Sequence, residues 1–287
     1  MTNNQNLHKG RTVFAVSGLT LMHVRGGVRT QILDDVSFSV QEGECLGILG
    51  ESGSGKSMSI KAALGLLDRQ FEIGGSARFA DQELLTMSAE ACRRLRGGRI
   101  TMVLQNPMTA FDPLYKMGDQ MAQTFGVHTD WSSAEIRSKS IELLKDMRIK
   151  DPEEVLEKYP HQLSGGMLQR IMIGLAIKLK PDLIICDEPT TAIDSISRAA
   201  IMEMLLDIKR RMKVAMIFIS HDLGVLNRIS DHLVVMKSGR VVEKGTPQIV
   251  MRSATDPYAK LLIEKHCAVT SAFLKAVRGE EVDHAAA

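Results

Sequence analysis

Cysteine is scarce in this chain of 287 residues: Cys45, Cys92, Cys186 and Cys267 lie far apart, with no C-x-x-C pair. Such spacing excludes a disulfide framework and a cysteine zinc site, and it fits a reducing cytosol. Long apolar runs are also missing. None approaches the ~18 residues of a membrane span, so a role at a membrane requires docking onto another chain that crosses it. The opening "MTNNQNLHKGR" lacks the apolar core of a signal peptide and is expected to be polar and mobile over residues 1 to about 10. Charge of one sign is absent too: the formal net charge is +2. So weak a field does not point to nucleic acid. There is no low complexity and no repeat at a fixed period.

What is present is the mix of an ordinary globular protein, 44% hydrophobic and 24% charged. Strand-like stretches "TVFAVSGLTL" and "ILDDVSFSV" flank a turn at Gly26 and Gly27. The apolar "CLGILG" then runs into a Gly/Ser loop and a helical pattern from Ser57. Residues from about 116 to 160 carry helical periods with charge, as in "SSAEIRSKSIELLKDMRI", and read as a helical insertion. Beyond 164 come a helix from Met167, the strand "DLIICDEP", a further helix, the strand "VAMIFISHD" and a hairpin turning at Ser238 and Gly239. A helical tail closes on a solvated "GEEVDHAAA". Continuous apolar strands alternating with helices predict an α/β fold: a largely parallel sheet covered on both faces, with a small antiparallel sheet from the early strands. The expected divisions are 1–105, 106–163 (the helical insertion), 164–250 and 251–287.

"GESGSGKS" (50 to 57) matches G-x-x-x-x-G-K-[ST] in the required strand–loop–helix context. Gly50, Gly53 and Gly55 allow successive N–H groups to face one anion, and the new helix adds the partial positive charge of its N-terminus. Lys56 supplies a compact cation for terminal phosphates, and the Ser57 hydroxyl is sized to ligate Mg²⁺. "DLIICDE" delivers Asp187 and Glu188 to the C-terminal edge of a buried strand, where ligands bind in open α/β sheets. Asp187 suits the metal and Glu188 suits polarising a water. Two acids after a strand, read alone, also describe a helix-capping turn. In "LSGGMLQR", Ser164, Gly165 and Gly166 open an apolar helix, either as a second anion-ready N-terminus or as a plain cap. Gln105 after "ITMVL" and His221 after "MIFIS" stand at strand ends, as phosphate-reaching groups or as turn residues.

Taken in order, "GESGSGKS", "LQNP", "LSGGMLQR", "IICDEPTTAID" and "ISHD" resemble the ATP-binding subunits of ABC transporters over roughly residues 12 to 265. The resemblance implies a P-loop NTPase with a RecA-like core, an antiparallel β subdomain and a helical insertion. It also implies ATP and Mg²⁺ as ligands, and a head-to-tail pair of cassettes in which each ATP lies between one P-loop and the partner's signature. By that resemblance Gly50, Glu51, Ser52, Gly53, Ser54, Gly55, Lys56 and Ser57 hold the nucleotide. Ser57, Asp187 and Gln105 attend Mg²⁺, Glu188 is the general base and His221 contacts the γ-phosphate. Asp194 communicates across the dimer, while Ser164, Gly165 and Gly166 cap the opposite nucleotide. The usual adenine-stacking aromatic is replaced by "LMHVRGG", which leaves His23 or a neighbour to substitute.

"SGGMLQR", "QNPMTAFDPL" and "TDPYAKLL" look like the dipeptide, oligopeptide and nickel importer group, and "SGGMLQR" most resembles nickel-import subunits. The implied partners are a second ATPase subunit (a paralogue), two integral membrane permeases and a substrate-binding protein, but no nucleic acid. The implied location is peripheral, on the cytoplasmic face of the membrane. With Cys267 alone in the tail, no iron–sulfur cluster is expected there. Eight scattered histidines place nickel with the partners, since His221 and His232 do not match a helical ligand pair. Two other classes fit the sequence less well. A soluble ABC ATPase of repair or translation would carry a long insertion or a second cassette. A GTPase would carry N-K-x-D. The 17 methionines read as filler of irregular cores.

Overall fold

The computed structural model describes residues 10–191 and 193–278. The expectations for the first nine residues and for the closing "GEEVDHAAA" fall outside the described residues. In chain order, β1 (Thr12–Arg25), β2 (Val28–Gln41) and β3 (Cys45–Leu49) precede α1 (Lys56–Ala63). Next come β4 (Phe71–Phe79), β5 (Gln82–Glu83), α2 (Ala89–Leu95) and β6 (Ile100–Val103). The helical segment holds α3 (Met117–His128), α4 (Ser133–Asp146) and α5 (Pro152–Glu157). It leads into α6 (Gly165–Lys178), β7 (Leu183–Asp187), α7 (Ser195–Met212), β8 (Ala215–Ser220) and α8 (Leu223–Ile229). The chain then forms β9 (His232–Lys237), β10 (Arg240–Gly245), α9 (Pro247–Ser253) and α10 (Pro257–Arg278).

Two sheets result. The first has the order β2-β1-β4-β5 and is antiparallel throughout. Its first two strands run longer than their apolar text suggests. The Gly26–Gly27 pair, at φ 58° and 81°, makes a tight two-residue turn, so pairing continues up to Arg25 and Val28. Register shifts near Gly18 and Asp35, both at positive φ, absorb the polar "LDDV" interruption without ending the ladder.

The second sheet has the order β10-β9-β3-β8-β7-β6 and is parallel from β9 to β6. Every residue of β3, β7 and β8 is buried. Because side chains alternate along a strand, each divides its residues between two apolar layers. Leu46, Ile48, Leu183, Ile185, Ile217 and Ile219 face the antiparallel sheet and α1. Cys45, Leu49, Ile184, Cys186, Met216 and Phe218 face the helices. Both faces are therefore covered, as a parallel sheet requires. The helical segment shares that second layer through Phe125, Leu143 and Leu144. It packs onto α6 through α4 and adds to that layer rather than enclosing a core of its own.

All four cysteines are free thiols, and only Cys267 is exposed. Burial pushes the Cys45 thiol up to about 12 and raises Cys186 further, so neither forms the reactive thiolate at neutral pH.

The start of α10 is tied to β10 by one carboxylate. Glu243 Oε2 accepts from the N–H groups of Thr255 and Asp256 at 2.6 and 3.1 Å and from Thr255 Oγ1 at 3.0 Å. These donors, Asp256 N–H foremost, hold the Glu243 carboxyl below its ordinary range. A depressed carboxyl stabilises the fold above its unfolded value, about 4.3, and loses that stabilisation as pH falls through the folded value. Glu243→Gln is therefore expected to lower Tm by about 2–4 °C at pH 7, as for the loss of about one net hydrogen bond in a chain of this size. The gap from wild type should close as pH falls below 4. Thermal melts across pH 3–7 check it, and a pH-independent gap contradicts it.

Candidate functional site

The site is built where four parallel strands end on one edge of the sheet. β3 ends at Leu49 and releases the loop 50–57, and β7 ends at Asp187. β8 ends at Ser220 before His221, and β6 ends at Val103, two residues before Gln105. Residues 105, 188 and 221, far apart in the chain, are thereby gathered beside residue 56.

The loop turns through Gly53 and Gly55, at φ 80° and 101°. A side chain at Gly55 would meet Leu33 Cδ2 at 2.8 Å, so strain and space both restrict that position to glycine. The hairpin between β9 and β10 supports the loop from behind, with Gly239 N–H donating to the Ser54 carbonyl at 3.0 Å. Lys56 is only 5% exposed, and its Nζ donates to the carbonyls of Gly50 at 2.7 Å and Glu51 at 2.9 Å. Burial lowers its pKa, while the charges of Glu188, Asp187 and Glu51 oppose that shift. Ser54 Oγ is buried and has no hydrogen-bond partner among the described residues.

Glu188 is the hub. Its Oε1 lies 3.9 Å from Lys56 Nζ. Its Oε2 accepts from Thr191 Oγ1 at 2.9 Å and Gln105 Nε2 at 3.3 Å, and His221 Nδ1 stands 3.3 Å away. Its backbone sits at φ 46°, a region a non-glycine residue enters at some cost, and its N–H is bonded to the Ile219 carbonyl at 3.0 Å. That bond to β8 fixes the turn so that the carboxylate faces the loop.

Beside it, the Ser57 hydroxyl donates to Asp187 Oδ1 at 2.7 Å. Burial raises the Asp187 carboxyl's pKa, partly offset by the Ser57 bond and the charge of Lys61. A hydroxyl and a carboxylate in contact are hard oxygen donors. They fit Mg²⁺, which takes one or two carboxylates, phosphate oxygens and its own waters. Among the described residues no group of three or more His, Cys, Asp or Glu side chains is gathered to hold a metal by itself. The glycine-rich loop, the helix N-terminus and the lysine together fit a polyphosphate.

The signature stretch lies at another helix start. α6 begins at Gly165, two residues before the expected Met167, because Ser164 caps it by accepting from Met167 N–H at 3.2 Å. Gly166 is pressed against α7, where a Cβ would meet Ser197 Oγ at 2.8 Å. Asp194 Oδ1 in turn accepts from Ser197 N–H at 2.9 Å. Residues 164–166 and Asp194 are thus joined through Ser197, at the start of a different helix from the one that follows the loop 50–57. His23 sits on β1 with its ring 4.9 Å from Phe71 and Nε2 3.4 Å from Gln70 Oε1.

Three further side chains, given no role by the motifs, belong to this architecture. Thr191 bonds Glu188, as described. Gln169, 1% exposed, donates to the Leu104 carbonyl at 3.4 Å and so ties α6 to the residue before Gln105. Arg170 donates to the carbonyls of Gly166, Met147 and Arg148. Their signal in the sequence was membership of a quoted motif, Thr191 in "IICDEPTTAID" and Gln169 and Arg170 in "LSGGMLQR".

The sequence and the fold both have known relatives. The family model described as "ABC transporter" matches residues 33–191. The chain is similar to the metal-staphylopine import system ATP-binding protein CntD of Staphylococcus aureus, 43% identical over 252 residues that cover 88% of this chain and 93% of that protein. It is also similar to the dipeptide transport ATP-binding protein DppD of Haemophilus influenzae, 41% identical over 80% of this chain and 70% of that protein. Among solved structures, a dimeric post-hydrolysis state of the ATP-binding cassette MJ0796 bound to ADP and Pi superposes with a TM-score of 0.72. At 24% identity, covering 82% of this chain and 98% of that one, it shows the shared fold. On the family model and these relatives, the chain belongs to the ABC transporter family, as an ATP-binding subunit.

Proposed function

We propose that this chain is the ATP-hydrolysing subunit of a membrane importer for nickel or a metal chelate, working in a head-to-tail pair of cassettes. The observation that carries the ATPase part is the convergence of Lys56, Gln105 and His221 on the Glu188 carboxylate. In this reading residues Gly50 to Ser57 cradle the phosphates, and Lys56 exchanges its two carbonyl partners for the terminal phosphate oxygens. Ser57 and Asp187 hold Mg²⁺ with Gln105 alongside; when bound, the ion neutralises charge developing on the β- and γ-oxygens. Glu188 takes a proton from the attacking water, and His221 orients the γ-phosphate. Ser164, Gly165 and Gly166, which open α6 rather than the helix after this chain's own loop, cap the partner's nucleotide. Asp194, held beside Gly166 through Ser197, signals across that interface. His23, backed by Phe71, stacks on adenine. The partner cassette in this reading is a paralogue.

Among the described residues no helix is long and apolar enough to cross a membrane. In this reading permease subunits supply the membrane path, and the chain sits peripherally on the cytoplasmic face. A cleft of about 480 Å³ lined by Thr101, Met102, Phe111, Gln120, Met172 and Leu175 supports docking of a permease helix there. Leu114 and Tyr115, 79% and 57% exposed beside it, are apolar groups suited to that contact.

For cargo, similarity to a metal-staphylopine system at 43% identity supports the metal-chelate reading. Similarity to a dipeptide system at 41% carries the second reading, the same motor driving peptide uptake. Uptake of labelled nickel, with and without a chelator, and of a labelled dipeptide is compared in cells carrying wild type or Lys56→Ala. Loss of metal uptake alone is expected. Loss of dipeptide uptake alone transfers the chain to the peptide reading, and no change in either contradicts the transport role.

A further inference from the structure

The end of the chain reaches back to its most important loop. Tyr258, in the first turn of α10, is 7% exposed, and its hydroxyl accepts from Glu51 N–H at 2.9 Å across 207 residues of sequence. Glu51 N–H belongs to the same peptide group as the Gly50 carbonyl, which accepts from Lys56 Nζ at 2.7 Å. One peptide plane at the entry to the loop is thus clamped from both sides, by tyrosine on its N–H and by lysine on its C=O. Rotating that plane would break both bonds and displace the Lys56 ammonium.

The clamp is itself held in place. Asp256 Oδ1 caps the helix by accepting from the N–H groups of Tyr258 and Ala259 at 2.8 and 3.2 Å, and Glu243 holds Asp256 in turn. Lys237 Nζ lies 5.0 Å over the Tyr258 ring, fixing its tilt from the other side. Lys265, two turns further along α10, meets Glu51 Oε1 at 3.2 Å, but that pair is more than half exposed and contributes little.

We propose that Tyr258 is a positioning residue for the nucleotide loop, through which α10 sets the orientation of the Gly50–Glu51 peptide and the place of Lys56. The inference rests on reading residues 50–57 as the ATP site. It gives the "TDPYAKLL" segment a task that no part of the hydrolysis scheme uses.

The test is calorimetric titration of the purified full chain with Mg·ATP, comparing wild type, Tyr258→Phe, Lys265→Ala and Lys56→Ala. Phenylalanine keeps the ring and its cation contact and removes only the hydroxyl. Tyr258→Phe is expected to weaken binding about fivefold, the ratio one neutral hydrogen bond commonly carries, and Lys265→Ala less than about twofold. KM for ATP should rise with kcat little changed. Amide exchange over residues 50–57 should quicken relative to that over β8, a ratio that reads the loop separately from any loss of global stability. Unchanged affinity and unchanged loop exchange in Tyr258→Phe, with binding lost in Lys56→Ala, overturn the clamp alone. A wild-type chain that does not bind Mg·ATP, or a Lys56→Ala chain that binds as wild type does, overturns the nucleotide reading and the clamp with it.

Discussion

Lys56→Ala is expected to reduce Mg·ATP affinity by about 100-fold or more and to abolish ATP-driven uptake. The reasoning starts from where the ammonium is. It is nearly fully buried, faces two loop carbonyls and lies 3.9 Å from a carboxylate. In place of these it offers charge-assisted bonds to phosphate, each contributing about 1.5–3 kcal/mol. Alanine removes those bonds and also leaves the Gly50 and Glu51 carbonyls facing the phosphates without a cation between them. Titration calorimetry reads the loss, and circular dichroism establishes that the variant is folded. Affinity within threefold of wild type contradicts the assignment.

Glu188→Gln is expected to separate binding from turnover. Glutamine occupies the same volume and keeps an oxygen to accept from Thr191 and Gln105, so the hub geometry survives. What it lacks is a basic lone pair near the attacking water, and loss of a general base costs about 10²–10⁴-fold in rate. The variant should bind Mg·ATP within a few-fold of wild type. Because hydrolysis reopens the paired cassettes in the proposed cycle, it should also accumulate as a nucleotide-bound dimer. Size-exclusion chromatography with light scattering, with and without ATP, reads that second consequence.

How much of this was legible in the sequence depends on the distance over which each feature is encoded. The loop 50–57 and the pair Asp187–Glu188 are local patterns: a buried strand, then the polar residues it delivers. The parallel sheet follows from strands such as "LIIC" (183 to 186) that are apolar at successive positions, since only a strand covered on both faces needs that. The hairpin at Ser238 and Gly239 was readable because glycine takes positive φ freely; Gly239 stands at 78°, and Ser238 is carried to 47° beside it. The full lengths of β1 and β2 were not readable, because residues 22–25 and 28–31 beside the Gly26–Gly27 turn are half-buried or exposed, and the tight turn alone carries the pairing through them. The start of α6 was placed two residues late because glycine disfavours a helix interior. In the first turn, however, N–H groups need no intrahelical partner, and the serine cap decides.

The contacts that make the site a unit were the least legible. Nothing in the text around Glu188 says that Gln105 and His221 will meet on one of its oxygens. That meeting requires the strand order β8-β7-β6, which pairing sets over more than a hundred residues. Tyr258 is the extreme case, since its partner is a backbone N–H that no side-chain pattern marks. Gln169 lay in plain view inside the signature, but its role as a brace on Leu104 depends on how α6 crosses the end of β6.

The most direct test of the central claim is phosphate release from Mg·ATP by the purified chain, wild type beside Glu188→Gln, with bound nucleotide quantified in the same samples. The account predicts steady release by wild type, and in the variant a rate at least about 100-fold lower with intact ATP retained on the protein. Release by the Glu188→Gln chain at the wild-type rate contradicts the account: the hub of the site would then not be its base.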